Sequence, residues 1–254
     1  MLTWNEDMIR FLQDASEQSD YHRLLAKYLA ERLPQNAHVC DAGCGLGYLS
    51  LRLAPYCRQV TAADISPEAL AVLHENCIKE GITNIETRCG AIDAMAPDPP
   101  YDAMIFCFFG TGDEALRIAK KQCRGPVIII KKAWSEHRFS IGKQKLSHEG
   151  YEDTMALLEN LHIPHRGETL EMEMGQPFRS VADACRFFEI YDKSGKLIPL
   201  DGEIASSGVS LSFWIGLAEL ATTPFLIGLA VPLLRLLPGW QAVVSPRKNY
   251  IVYY

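Results

Sequence analysis

Three alternating glycines and an acid stand together at the start of the most regular part of the chain. Asp41 precedes Gly43, and Gly45 and Gly47 follow at alternate positions. Glycine lacks a Cβ, so such a turn can bend tightly and let another group approach the main chain. A helical pattern begins at Tyr48, and the free N–H groups at a helix start favour negatively polarised ligand atoms. This spacing predicts a ligand-binding turn.

The acid before the turn discriminates between cofactor classes. A carboxylate at Asp41 repels a pyrophosphate and attracts an ammonium or sulfonium group. A dinucleotide fingerprint of the form GxGxxG also needs glycine at position 48, where this chain has Tyr48. The turn therefore favours S-adenosylmethionine over NAD.

A second acid follows the glycine turn at a useful distance. Asp64 ends an apolar run, and an acid about twenty residues beyond such a turn is placed to accept hydrogen bonds from ribose hydroxyls. Ile65, its neighbour, is expected to lie against an adenine face. Ser66 and Pro67 are typical of a helix start.

These residues lie within an alternation of short apolar runs and helical patterns. The predicted strands are His38–Asp41, Gln59–Asp64, Ile85–Cys89, Ala103–Phe108, Val127–Ile130, Arg166–Met174 and Asn249–Tyr254. The predicted helices after the first thirty residues are Tyr48–Leu53, Pro67–Glu80, Asp113–Gln122, Tyr151–Leu161 and Val181–Tyr191. This rhythm predicts an α/β fold with helices on both faces of a parallel sheet, whose ligands bind at the carboxyl ends of the strands.

The runs over residues 39–50 and 60–67 resemble the class I (Rossmann-like) S-adenosylmethionine-dependent methyltransferases, and the resemblance covers residues 20–133. It implies a doubly wound, mostly parallel seven-stranded sheet with an antiparallel last strand. It implies that the methionine part of the cofactor is surrounded by Asp41, Gly43, Gly45 and Gly47, with Asp64 at the ribose. Gly90, Ala91 and Ile92 then border the adenine. Many members carry an Asp where this chain has Ala91, so Asp93 or the backbone of Ile92 is the alternative adenine contact.

We expect one methyltransferase domain over residues 1–254. Residues 1–34 form helices, and residues 35–133 form the cofactor-binding core. Residues 134–254 form a substrate-side loop, a helical cap and the last strands. Residues 206–237 are strongly apolar but hold Glu219, Arg235 and two prolines, which favours a helical insertion before the last strand over a membrane span. Contact of this segment with a membrane surface, or a homodimer face, stays open.

The acceptor side offers fewer signals. Cys107, at the end of the fourth predicted strand, is assigned to the cofactor, and Phe109 to the acceptor pocket. The stretch from Lys120 to His148 holds eight Lys or Arg residues against one Glu, and Lys131, Lys132 and Arg138 are expected to face the substrate mouth and draw an anionic acceptor. His137 is the candidate general base. The sequence shows no cluster of acidic residues that would imply a bound metal.

Composition narrows the function class further. In 254 residues, 48% are hydrophobic and 22% charged, which excludes a disordered chain, a collagen and a coiled coil. The net charge of −6 argues against binding nucleic acid with the whole surface. Eight cysteines without a CxxC pair, and no signal-peptide pattern, are typical of a cytoplasmic protein. We predict methyl transfer to an O, N or S atom of a small molecule; a tRNA or rRNA methyltransferase and a non-catalytic S-adenosylmethionine-binding protein are the alternatives.

Overall fold

The computed structural model describes residues 4–95, 97–132, 149–172, 174–191 and 247–253. The strands are β1 (His38–Ala42), β2 (Gln59–Asp64), β3 (Ile85–Cys89), β4 (Ala103–Cys107), β5 (Val127–Lys132), β6 (Arg166–Met172) and β7 (Arg247–Tyr253). The helices are α1 (Glu6–Gln18), α2 (Tyr21–Ala30), α3 (Tyr48–Leu53), α4 (Pro67–Glu80), α5 (Gly112–Gln122), α6 (Tyr151–Asn160) and α7 (Val181–Tyr191).

These strands form one sheet in the order β3-β2-β1-β4-β5-β7-β6. Strands β1 to β5 are parallel to their neighbours, which confirms the predicted α/β class with a parallel sheet. Strand β7 lies antiparallel to both β5 and β6. The chain order reverses between β1 and β4, so the carboxyl ends of these two strands flank the switch point where ligands of open α/β sheets bind.

Alternate residues of the central strands face two apolar layers, because side chains alternate across a strand. Val39 and Ile105 belong to a cluster with Leu25 and Leu29 of α2. Cys40 and Phe106 belong to a cluster on the other side, which includes α5. Both faces of the sheet are therefore covered, as a parallel sheet requires.

The helix beside the candidate site starts and ends with clear signals. The Ser66 hydroxyl accepts a hydrogen bond from the Ala69 N–H at 3.1 Å, and Pro67 is the first residue of α4. Gly81 ends the helix with a left-handed backbone, φ 68°. The predicted start of α4 at Pro67 is confirmed.

The chain divides into two compact units. The sheet and α1 to α6 lie in the first. The described part of the second is residues 175–191, where the Phe187 ring packs 5.3 Å from Phe178 and 4.5 Å from Tyr191, measured between ring centroids. No helix within the described ranges is long and apolar enough to cross a membrane. The predicted helical insertion and residues 206–237 lie outside the described residues.

Candidate functional site

The glycine turn after β1 adopts a backbone that only glycine takes easily. Gly43, Gly45 and Gly47 have φ angles of 70°, 54° and 73°. The Ala63 carbonyl accepts hydrogen bonds from the N–H groups of Gly43 at 2.8 Å and Cys44 at 3.0 Å. The start of the turn is thus held against the end of β2, and residues other than glycine would be strained at the three left-handed positions.

Asp64 connects the turn to the two neighbouring elements. Its Oδ2 accepts a hydrogen bond from the Gly45 N–H at 2.8 Å, and its Oδ1 accepts one from the Ser66 N–H at 2.9 Å. Its carbonyl accepts the Gly90 N–H at 2.9 Å, beyond the end of β3. Each carboxylate oxygen has a second lone pair for a further donor, and Asp64 is only half-buried. The carboxylate fits a ligand that brings hydroxyl donors.

Asp41 is buried instead of lying open at the strand end. It is 1% exposed, and the Ser50 hydroxyl of α3 donates a hydrogen bond to its Oδ2 at 2.6 Å. Burial raises the pKa of Asp41 to about 6; the Ser50 hydrogen bond opposes this rise, and the nearby charge of Asp64 adds to it. Asp41 therefore anchors α3 directly behind the turn that it precedes.

Three side chains cover the positions where the glycines lack a Cβ. A Cβ at Gly43 would lie 2.2 Å from the Phe109 ring, one at Gly47 2.5 Å from Leu73, and one at Gly45 3.0 Å from the ring of Trp4. On the side of each glycine where a Cβ would stand, the space is occupied by a protein side chain and not left open to a ligand. Trp4 carried no sequence signal, because it lies far along the chain from the turn and follows no motif.

The residues assigned to adenine differ in what they offer. Ile65 is 41% exposed and Ala91 is also exposed. The Ile92 side chain is 6% exposed within the core, and its carbonyl accepts a hydrogen bond from Gln122 Nε2 at 2.6 Å. The side chain of Ile92 is therefore part of the core. Asp93 lies 3.4 Å from Arg117 of α5, measured between Oδ2 and Nη1.

Residues at and just beyond the end of β4 turn to opposite sides. Cys107 packs against the cluster that contains α2, whereas Phe109 stacks on Phe106 with ring centroids 6.5 Å apart and an interplanar angle of 12°. The prediction that the strand includes Phe108 is wrong: β4 ends at Cys107, because Phe108 has a left-handed backbone, φ 55°. The glycine turn and Phe109 are thus brought together, as the carboxyl-end rule predicts.

The expectation that Lys131 faces the substrate mouth is also wrong. It is 4% exposed, and its ammonium donates a hydrogen bond to the Gly110 carbonyl at 2.8 Å. The side chain of Lys132 lies outside the described residues, as do His137 and Arg138. Among the residues that the structure describes, no group of three His, Cys, Asp or Glu could hold a metal ion.

Comparisons with known proteins identify the core of the chain. A family model described as "Methyltransferase domain" matches residues 39–125. A ubiquinone biosynthesis O-methyltransferase of Xylella fastidiosa is 40% identical over 80 residues, which is 30% of this chain and 32% of that protein. An uncharacterized RNA methyltransferase of Halalkalibacterium halodurans is 35% identical over 68 residues, 27% of this chain and 15% of that protein. The chain thus spans a third or less of the length of these relatives.

Solved structures share the fold. The YcgJ protein of Bacillus subtilis has a TM-score of 0.54 at 12% identity, covering 91% of this chain and 96% of that one. An S-adenosylmethionine-dependent methyltransferase of Aquifex aeolicus has a TM-score of 0.50 at 20% identity, covering 67% and 94%. Residues 39–125 therefore resemble a methyltransferase domain in sequence, and the chain shares the fold of a solved S-adenosylmethionine-dependent methyltransferase.

Proposed function

We propose that this protein transfers the methyl group of S-adenosylmethionine to an O, N or S atom of a small molecule, either anionic or partly apolar. The observation that carries the proposal is the Asp64 carboxylate, which is bonded to the turn at Gly45 and lies beside the exposed Ile65. A ribose joined to an adenine needs this combination of a hydroxyl acceptor and an apolar face. The family match over residues 39–125 supports the same cofactor.

The site residues divide by the part of the cofactor they would meet. We assign the turn of Gly43, Gly45 and Gly47, backed by the buried Asp41, to the methionine part. Asp64 holds the ribose. The adenine is bordered by Ile65 and by the main chain from Gly90 to Ile92, since the Ile92 side chain is used in the core. We assign Cys107 to the cofactor and Phe109 to the acceptor side.

The chain's part in the reaction is to bind and align. S-adenosylmethionine supplies an activated methyl group, so the acceptor atom gains a bond to carbon as the carbon–sulfur bond breaks. A rigid turn and a fixed ring raise the rate by holding the two reactants in line. Where the acceptor must lose a proton, His137 stays the candidate base.

Titration calorimetry with S-adenosylmethionine and S-adenosylhomocysteine, with NAD as the control ligand, tests the cofactor assignment. We expect micromolar binding of both sulfur ligands and a loss of at least about tenfold in Asp64→Asn, because hydrogen bonds to a charged group are worth about 1.5–3 kcal/mol.

Asp102→Asn is the matched control for this substitution. Asp102 also accepts a backbone hydrogen bond, from His38 at 2.8 Å, but it lies before β4 at the opposite edge of the sheet. Its replacement is expected to leave the affinity unchanged. Failure of wild-type protein to bind either sulfur ligand would contradict the proposal.

An RNA acceptor is the second candidate. It is favoured by the likeness to an RNA methyltransferase and by the seven basic residues, besides the buried Lys131, in the stretch from Lys120 to His148. RNA affinity that falls steeply with salt would support it, since contacts to phosphates release counterions. No detectable RNA binding at low salt would exclude it.

A further inference from the structure

A buried cation supports the loop that follows β4. The Lys131 side chain, at the carboxyl end of β5, is 5% exposed, and its Nζ donates a hydrogen bond to the Gly110 carbonyl at 2.8 Å. Lysine is almost never buried to this extent without a partner. Burial lowers its pKa, although the charges of Glu149, Asp153 and Glu114 act in the opposite direction. The position of this ammonium is therefore set by the groups around it.

Glu149 holds the other side of the same loop. Its Oε1 lies 3.9 Å from the Lys131 Nζ and accepts hydrogen bonds from the Gly112 N–H at 2.7 Å and the Thr154 hydroxyl at 2.7 Å. A Cβ at Gly112 would lie 2.8 Å from this oxygen. One charged pair thus fixes a carbonyl and an N–H group two residues apart.

The segment held by this pair carries the ring that covers the glycine turn. Phe109 directly precedes Gly110, and its ring lies against Gly43. Phe108 and Gly110, on either side, both have left-handed backbones, with φ angles of 55° and 64°. A non-glycine residue in that region is costly and persists only when its surroundings impose it. The Phe108 N–H donates a hydrogen bond to the Ile130 carbonyl of β5 at 3.0 Å, which holds the segment on one side of Phe109, and the pair holds it on the other side, at Gly110 and Gly112.

We propose that Lys131 and Glu149 are positioning residues that fix Phe109 against the glycine turn and thereby set the affinity for S-adenosylmethionine. This inference rests on the proposed function. Neither residue needs to touch the ligand, since both act through the backbone at Gly110 and Gly112. A buried ion pair is by itself a poor source of stability, because apolar residues of similar size often stabilise as much. What the pair provides instead is orientation, because its hydrogen bonds fix the directions of the Gly110 carbonyl and the Gly112 N–H.

The test is a double-mutant cycle on the affinity for S-adenosylhomocysteine, measured by calorimetry with the full chain. Lys131→Met and Phe109→Leu are each expected to weaken binding by about tenfold, the size of coupling that residues away from a ligand can exert. In the double variant the two losses should not multiply, because Lys131 acts through Phe109. The proposal would be overturned if the affinity loss of the double variant equalled the product of the two single losses, or if Lys131→Met bound with unchanged affinity.

Glu149→Gln and Asp102→Asn form a matched pair that separates positioning from general destabilisation. Both carboxylates are partly buried, with side chains 20% and 17% exposed, and both accept a backbone hydrogen bond and face a cation. Glu149→Gln is expected to weaken binding while Asp102→Asn does not, even where their unfolding temperatures fall equally. Equal affinities of Glu149→Gln and Asp102→Asn would overturn the proposal. This comparison decides the question even if Lys131→Met does not fold. Absence of binding by wild-type protein would instead reject the proposed function itself.

Discussion

The substitution Gly43→Ala probes the packing of the glycine turn most directly. Gly43 has a φ of 70°, and an added Cβ would lie 2.2 Å from the Phe109 ring. The left-handed backbone costs an alanine about 1–2 kcal/mol. Forcing a methyl group against a packed ring costs about 1–3 kcal/mol more. We expect the free energy of unfolding to fall by about 2–5 kcal/mol, the sum of the two effects.

Gly81→Ala is the control that isolates the ring contact. Its φ is 68°, nearly the same, but no atom lies within 4 Å of an added Cβ. Only the backbone cost of about 1–2 kcal/mol applies there. The difference between the two variants, measured by urea unfolding, is therefore the cost of the contact with Phe109.

A third variant completes the experiment. In a Phe109→Ala background the ring is gone and only the Cβ at position 109 stays near the added methyl group, at 2.8 Å. Most of the cost that Gly43→Ala has beyond that of Gly81→Ala should then disappear. The reasoning would be refuted if Gly43→Ala and Gly81→Ala destabilised the wild-type protein equally, or if the extra cost survived the loss of the ring. Affinity for S-adenosylhomocysteine, measured on the same variants, would show whether the turn must keep its shape to bind.

Two further predictions concern the acid and the apolar side chain beside the turn. Because burial raises the pKa of Asp41 to about 6 from 3.8, the folded state holds this proton more tightly than the unfolded chain. The contribution of this proton to the free energy of unfolding is complete below pH 3.8 and is lost as the pH rises through 6. Between pH 5 and 8 the free energy of unfolding of the wild type should therefore fall by about 1–2 kcal/mol relative to that of Asp41→Asn. Parallel pH profiles of the two proteins in chemical unfolding would refute this. Ile65→Ala should weaken the binding of S-adenosylhomocysteine by about three- to tenfold, which is the value of the lost apolar contact. The free energy of unfolding should change little, because Ile65 is 41% exposed. An unchanged dissociation constant would remove Ile65 from the adenine site.

Much of the core architecture could be predicted from local pattern. The starts and ends of α3 and α4, and the strands β2 and β3, lie where hydrophobic period and capping residues place them. The glycines of the turn were identifiable because left-handed backbone excludes most other residues. The acid at Asp64 was identifiable from its spacing to that turn, and the structure joins the two with a 2.8 Å hydrogen bond.

Contacts between residues distant in the chain could not be predicted in this way. The parallel α/β core and the positions of the turn and its acids were predictable, because they depend on spacing within one or two elements. The burial of Lys131 beside the Gly110 carbonyl, the contact of Asp41 with Ser50, and the covering of the glycines by Trp4 and Phe109 depend on tertiary packing. The physical reason is that a side chain's burial and partners depend on which elements pack beside it, and no local spacing records that choice.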